Sequence, residues 1–131
     1  MAKIENCCVI DDDPIFIYGI KRMMRDIDFC KDVTVYNNGQ DALDGLREMR
    51  EGHDKLPQVI FLDLNMPIMN GWDFLDEFIK IRPPNSSKTL VYVISSSVDP
   101  KDISKVNDYA LVSNYILKPI TPADLEKVLK D

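Results

Sequence analysis

The sequence predicts an α/β domain built on a parallel β-sheet, on three observations. Five short apolar runs alternate with five segments of helical character. The runs are almost continuously apolar, as strands covered by helices on both faces must be. Several of them stop at an acid, a hydroxyl or a lysine, and ligands of such sheets gather where the strands end.

The first strand is expected over residues 6–11, where Cys8-Val9-Ile10 runs into Asp11-Asp12-Asp13. Asp13 then precedes Pro14, a capping side chain followed by a residue whose missing N–H costs nothing in a first helical turn. A helix is therefore expected over 14–27, with Lys21, Arg22 and Arg25 on its wet face. A strand over 33–36 and a helix over 39–51 form the second unit. Val59-Ile60-Phe61-Leu62, ending at Asp63, marks a strand over 59–63. The helix expected over 71–81 turns Trp72, Phe74, Leu75 and Phe78 mainly inward and Asp73, Asp76, Glu77 and Lys80 outward, and Pro83-Pro84 stops it. Residues 83–88 are polar and turn-rich, a loop and not a domain linker. Leu90-Val91-Tyr92-Val93-Ile94 leads to Ser95 in a strand over 90–95, and Asp99-Pro100 opens a helix over 100–109. Tyr115-Ile116-Leu117 closes a strand over 112–117 at Lys118-Pro119. Thr121-Pro122, with Asp124 nearly completing a capping box, opens a helix over 122–130.

A chain of 131 residues suits one domain with a single substantial core, so no output module is expected within it. With 45% hydrophobic and 29% charged residues, it lacks the low hydrophobicity that keeps chains disordered. A net charge of −6 repels nucleic acid and anionic membranes, which disfavours direct binding to either. No apolar run approaches a membrane span and Met1-Ala2-Lys3-Ile4-Glu5-Asn6 lacks the apolar stretch of a signal peptide, so a cytoplasmic location is expected. Cys7, Cys8 and Cys30 are odd in number and lack Cys-x-x-Cys spacing, and the first two, adjacent on a strand, face opposite sides. Buried free thiols are expected, without a disulfide framework or a zinc site.

Asp11, Asp12, Asp63, Ser95 and Lys118 all fall at expected strand ends, with room for two strand–helix units between Asp11 and Asp63 and for two more before Lys118. Three ionised carboxylates at close range repel strongly, so something positive belongs among them. Mg²⁺ suits, because it prefers oxygen ligands, keeps several waters and commonly takes one or two carboxylates with a phosphate oxygen. Lys118 supplies a second, fixed positive charge. Phosphoryl transfer needs mainly in-line positioning and neutralisation of charge on the equatorial oxygens, so a carboxylate between a metal and a lysine is a competent nucleophile toward phosphorus. Asp63, alone at its strand end, is the candidate nucleophile. Asp11 and Asp12 are candidate metal ligands, and Ser95 is a candidate donor to a phosphoryl oxygen.

Plainer readings exist for each. Asp11 and Asp12 suit a helix N-terminus, although Asp13 already fills the cap. Asp63 could open a turn, Lys118 could be a solvated lysine, Ser95 is one of three adjacent hydroxyls, and Tyr115 could be an ordinary edge aromatic. Gly71 could simply permit a tight turn. His53, in the polar stretch Glu51-Gly52-His53-Asp54-Lys55 with no second ligand at useful spacing, reads as a solvated loop residue and not a phosphohistidine.

Taken in order, Val9-Ile10-Asp11-Asp12-Asp13-Pro14, Asp63-Leu64-Asn65-Met66-Pro67-Ile68-Met69-Asn70-Gly71, Ile94-Ser95-Ser96 and Tyr115-Ile116-Leu117-Lys118-Pro119 resemble the receiver domain of two-component response regulators over essentially the whole chain. The resemblance implies a flavodoxin-like doubly wound (βα)5 fold with strand order 2-1-3-4-5, and residues 1–131 as a single stand-alone receiver without an effector domain. It implies that Asp63 accepts a phosphoryl group from a histidine kinase or histidine phosphotransfer protein, without the chain being a turnover enzyme. Asp12 and Asp63 would bind Mg²⁺ or Mn²⁺ directly and Asp11 through water, with the backbone carbonyl of Asn65 completing the protein ligands. A cis peptide before Pro119 would aim Lys118 at the site. Ser95 stands where the family most often has threonine. Ser95 and Tyr115 would switch the face of the fourth and fifth helices toward a downstream protein partner or a phosphorylation-dependent dimer, while Asn65 and Ser97 would tune phosphoryl lifetime. Two alternatives remain open. One is a metal-dependent phosphatase with an aspartyl-phosphate intermediate, suggested by Asp11-x-Asp13. The other is a receiver-like scaffold that binds partners without phosphorylation.

Overall fold

The computed structural model describes residues 4–52, 56–66, 69–81 and 89–130. The readings placed on His53, on Pro67-Ile68 and on residues 83–88 lie outside them. Strands β1 (Ile4–Ile10), β2 (Cys30–Tyr36), β3 (Val59–Asp63), β4 (Leu90–Ser95) and β5 (Val112–Leu117) alternate with helices α1 (Pro14–Asp26), α2 (Gly39–Glu51), α3 (Gly71–Ile81), α4 (Pro100–Lys105) and α5 (Pro122–Leu129). All neighbouring strands are parallel, in the order β2-β1-β3-β4-β5. Strand order thus reverses between β1 and β3, and the carboxyl ends of these two strands flank the crevice that such sheets offer to ligands.

Helices on both faces demand strands that are apolar on both faces. Val9, Phe61, Tyr92 and Ile94 pack with Ile20 and Met24 of α1 and Leu125 and Val128 of α5. Ile10, Ile60, Leu62 and Val91 pack with Leu43 and Leu46 of α2 and Phe74 and Phe78 of α3. Cys7 joins the first layer and Cys8 the second, as the two-residue period of a strand dictates. The thiols are free, two of them buried and Cys30 half-buried. Every residue of β3 is buried. Its apolar side chains each contribute roughly 1.5–3 kcal/mol relative to exposure, which anchors the strand that ends at Asp63.

The proline-led helix starts form as expected. Asp13 accepts from the Ile15 N–H and Asp99 from the Lys101 N–H, both at 2.9 Å, and Thr121 and Asp124 complete a reciprocal capping box. Asn38 and Asn70 supply two further caps, accepting from Asp41 at 2.8 Å and Asp73 at 2.9 Å.

Three boundaries differ from expectation. β1 ends at Ile10, so Asp11 is the first residue beyond it. β2 begins at Cys30, ahead of the apolar run, because an edge strand pairs on one side only and tolerates the exposed Lys31 and Asp32. The fourth helix is α-helical only over Pro100–Lys105 and tightens into a 3₁₀ turn at Val106–Asp108. α4 buries none of its residues, and the first side chain buried there, Val106, belongs to the turn, so little packing sustains a longer α-helix. Among the described residues no helix is long and apolar enough to cross a membrane.

Gly71 serves a close approach and not a left-handed turn. Its φ is not positive, its N–H donates to the Leu64 carbonyl at 2.9 Å, and a Cβ there would lie 2.8 Å from both the Asp63 carbonyl oxygen and the Leu64 Cα. Those obstacles are backbone and cannot rotate away. Gly71→Ala is expected to cost about 1–3 kcal/mol, read as a lower urea midpoint. An unchanged midpoint would show that the β3–α3 connection yields freely.

Candidate functional site

The sheet brings the sequence-selected residues to one edge. Asp63 is the last residue of β3 and Ser95 the last of β4, while Asp11 and Lys118 directly follow β1 and β5. Backbone bonds extend the ladder through these ends: the Asp11 N–H donates to the Tyr36 carbonyl at 3.1 Å, and the Lys118 N–H to the Ser95 carbonyl at 2.9 Å. The Lys118-Pro119 peptide is cis, as the resemblance implies.

One carboxylate oxygen from each of Asp11, Asp12 and Asp63 lies within 4.8 Å of the others. Asp11 and Asp63 are buried and Asp12 is exposed, so the cluster opens to solvent on the Asp12 side. Asp11 uses Oδ1 to accept from the Asp13 N–H at 2.9 Å. Its buried Oδ2 makes no well-aligned hydrogen bond and lies 2.9 Å from Lys118 Nζ. Lys118 reaches Asp63 less closely, at 3.8 Å. Burial pushes the Asp63 carboxyl up to about 6, reinforced by Asp11 and weakly by Asp12, against the opposing pull of Lys118 and of the Asn65 N–H. Three carboxylates that each offer a hard oxygen donor at this spacing fit a hard divalent cation.

The plainer readings give way unevenly. Asp13 is exposed and caps α1, which takes the second acid of the Asp11-x-Asp13 pair away from phosphatase chemistry. Ser95, not its neighbours, is the fully buried hydroxyl, and its Oγ accepts from the Ser97 N–H at 3.0 Å. Asn65 donates its backbone N–H to Asp63 Oδ1 at 3.4 Å, and its exposed side chain lies at the rim. Ser97 is tied to the helix that follows it. Its hydroxyl donates to Asp102 at 2.8 Å and accepts from the Asp99 N–H at 3.2 Å, joining it to α4. The half-buried Tyr115 donates its hydroxyl to the Ser97 carbonyl at 2.9 Å.

Sequence reasoning missed Phe16. Its ring centroid lies 4.5 Å from Lys118 Nζ, a cation–π contact to the ammonium. It also missed the role of Trp72, which stacks on Tyr109 at 5.6 Å and lies under Lys105 at 4.8 Å, linking α3 to the end of α4. Neither contact has a sequence signal, because both join residues far apart in the chain.

With this geometry the class is defined: a parallel α/β domain whose strand ends gather acids, a hydroxyl and a lysine. The family model for the response regulator receiver domain matches residues 7–130, and the chain belongs to that family. The nitrate/nitrite response regulator protein NarL of Escherichia coli K12 is 34% identical over 121 residues, which cover 92% of this chain and 51% of that protein. The chain therefore spans about half the length of the curated relatives it matches. A two component response regulator from Cytophaga hutchinsonii superposes with a TM-score of 0.87 at 32% identity, covering 98% of this chain and 99% of that one. The receiver domain of the sensor histidine kinase PA1611 from Pseudomonas aeruginosa PAO1, described with a magnesium ion coordinated in its active site cleft, shares the fold with a TM-score of 0.76 at 17% identity, covering 96% and 94% of the two chains. These relationships favour neither the phosphatase nor the phosphorylation-independent scaffold.

The native state binds the Asp63 proton more tightly than the unfolded chain does. Its contribution to stability is thus full below the ordinary carboxyl pKa and is lost as pH rises through about 6. In EDTA, Asp63→Asn is expected to be more stable than the parent at pH 7.5 by on the order of 2–3 kcal/mol, with the gap closing toward pH 4. Urea unfolding across that range measures it, and a pH-independent difference would refute the burial cost.

Proposed function

We propose that residues 1–131 act as a single receiver unit in which Asp63 is the phosphoacceptor, in a two-component or phosphorelay system. The reading is supported above all by the convergence of Asp11, Asp12 and Asp63 within 4.8 Å, with Lys118 beside them, at the end of a buried strand. The donor is a histidine kinase or histidine phosphotransfer protein, and the output is a changed contact with a partner protein or a second copy. The chain acts as a phosphoryl carrier in the cytoplasm and not as a turnover enzyme.

In this reading Asp11, Asp12, Asp63 and the Asn65 carbonyl hold Mg²⁺ or Mn²⁺. The cation supplies charge neutralisation for the incoming phosphoryl oxygens. The Asp63 carboxylate attacks phosphorus, and the bond to the donor nitrogen breaks. Lys118, held by Phe16 and paired mainly with Asp11, offers its remaining N–H groups to a phosphoryl oxygen. Ser95 accepts from Ser97 and so keeps its own proton to donate.

The connection after β4 carries the signal outward. Drawing Ser95 toward a phosphoryl oxygen strains the same short segment whose Ser97 carbonyl receives Tyr115 and whose Ser97 hydroxyl holds α4. α4 contributes no buried residue to the core, so a small pull biases its position.

With acetyl phosphate and Mg²⁺ the intact mass is expected to rise by one phosphoryl group, and Asp63→Asn is expected to stay unmodified. An unmodified parent beside a working control overturns the reading. Trp72 is the single tryptophan and lies against Lys105 and Tyr109. Beryllofluoride with Mg²⁺ is expected to shift its emission in the parent and much less in Ser95→Ala. Equal responses in both would remove Ser95 from the relay.

A further inference from the structure

On the opposite side of β1 from the α2 and α3 layer, two sulfurs meet that the phosphoryl site does not use. Cys7 Sγ and Cys30 Sγ are 3.0 Å apart, although they are remote in sequence and lie on different strands. Cys7 is fully buried in the interior strand β1, whereas Cys30 is half-buried at the start of edge strand β2. We propose that Cys7 and Cys30 form a peroxide-reactive dithiol, in which Cys30 is the attacking sulfur and Cys7 the resolving one, and which closes to a disulfide between β1 and β2.

The chemistry divides as burial divides the pair. A hydroperoxide meets Cys30, the partner that solvent reaches. The Cys30 thiolate attacks a peroxide oxygen, the O–O bond breaks, and the leaving hydroxide takes up the proton that the Cys30 thiol released on ionising and departs as water, giving a sulfenic acid at Cys30. The Cys7 sulfur then attacks the Cys30 sulfur, the S–O bond breaks, and hydroxide leaves with the Cys7 proton as a second water. Two thiols lose two electrons and one hydrogen peroxide gains them.

The asymmetry in acidity runs the same way. The hydrogen bond between the two sulfurs lowers the Cys30 thiol, favouring its thiolate, while that bond and burial raise Cys7. Cys7 also lies 3.9 Å from Met24 Sδ, a weaker contact than the one to Cys30. The register sets Cys30 opposite Ile4 and Cys7 opposite Val33, so the contact spans an offset of three positions along the strand pair. Shortening a 3.0 Å contact to a bond of about 2.0 Å requires the start of β2 to move. That start is paired on one side only and follows the Asp28 turn, at φ 53°. Cys8 faces the other layer, and burial raises its thiol, so it serves as an internal control.

The test is independent of the phosphoryl reading, because its readout is the mass and labelling of the full chain. After dilute hydrogen peroxide, unfolding in an alkylating agent is expected to attach one label, at Cys8, where the reduced chain takes three. A reductant should restore all of them, and a peptide linking Cys7 to Cys30 should appear in the digest. In Cys7→Ala, Cys30 should be trapped by dimedone as the sulfenic acid, and in Cys30→Ser the remaining thiols should label in full. Full labelling of the parent after peroxide overturns the proposal. So do conversion of Cys30 to sulfinic acid with Cys7 still free, and disulfides found only between chains.

Discussion

Mutual repulsion among carboxylates at the end of a buried parallel sheet is the constraint on which this structure depends. Asp63 is placed by a strand whose every residue is buried, and Asp11 by backbone pairing to Tyr36, so neither acid can retreat into water. Two unit charges about 4 Å apart at an effective dielectric near 20 interact by roughly 4 kcal/mol. Lys118 relieves Asp11 at 2.9 Å more than Asp63 at 3.8 Å. Burial raises the Asp63 carboxyl, and the neighbouring Asp11 adds to that rise more than Lys118 offsets it. The same crowding that penalises the ionised acid suits the site to a cation and to the charge of a transferring phosphoryl group.

The fold sets a rigid support beside a helix that is little anchored by burial. β1, β3 and β4 are covered on both faces and hold the acids and Ser95, whereas α4 is short and buries nothing. Between them, residues 95–97 are hydrogen-bonded within the segment, to Lys118 and Tyr115, and to α4 and its cap. A local change at the strand end therefore reaches a helix with little core energy opposing its movement. The Trp72, Lys105 and Tyr109 contacts, with the Tyr109 hydroxyl donating to Asp76 at 2.9 Å, attach that helix end to α3.

Legibility of the sequence followed the strength of each residue's physical demand. Val59 to Leu62 could only be a strand buried on both faces, and Asp13-Pro14, Asp99-Pro100 and Thr121-Pro122 could only open helices, so their positions were readable. The start of β2 was not, because an edge strand asks nothing apolar of Lys31 and Asp32. The tightening after Lys105 was not, because the cap at Asp99 fixes where a helix begins and only packing decides how far it runs. At Gly71 the sequence showed a glycine but not which demand it meets, since a turn glycine and one required by close backbone approach have the same letter.

The sequence by itself determined the alternation of strands and helices, the burial of the sheet on both faces, and the set Asp11, Asp12, Asp63, Ser95 and Lys118, since each follows from local periodicity or from a charge placed where an apolar run stops. Only the tertiary structure decided that Lys118 pairs more closely with Asp11 than with Asp63, that Phe16 backs its ammonium, that Ser97 is tied to α4, and that Cys30 meets Cys7. Those facts depend on distances between groups far apart in the chain, and such distances are set by packing of the whole domain, which no local pattern encodes.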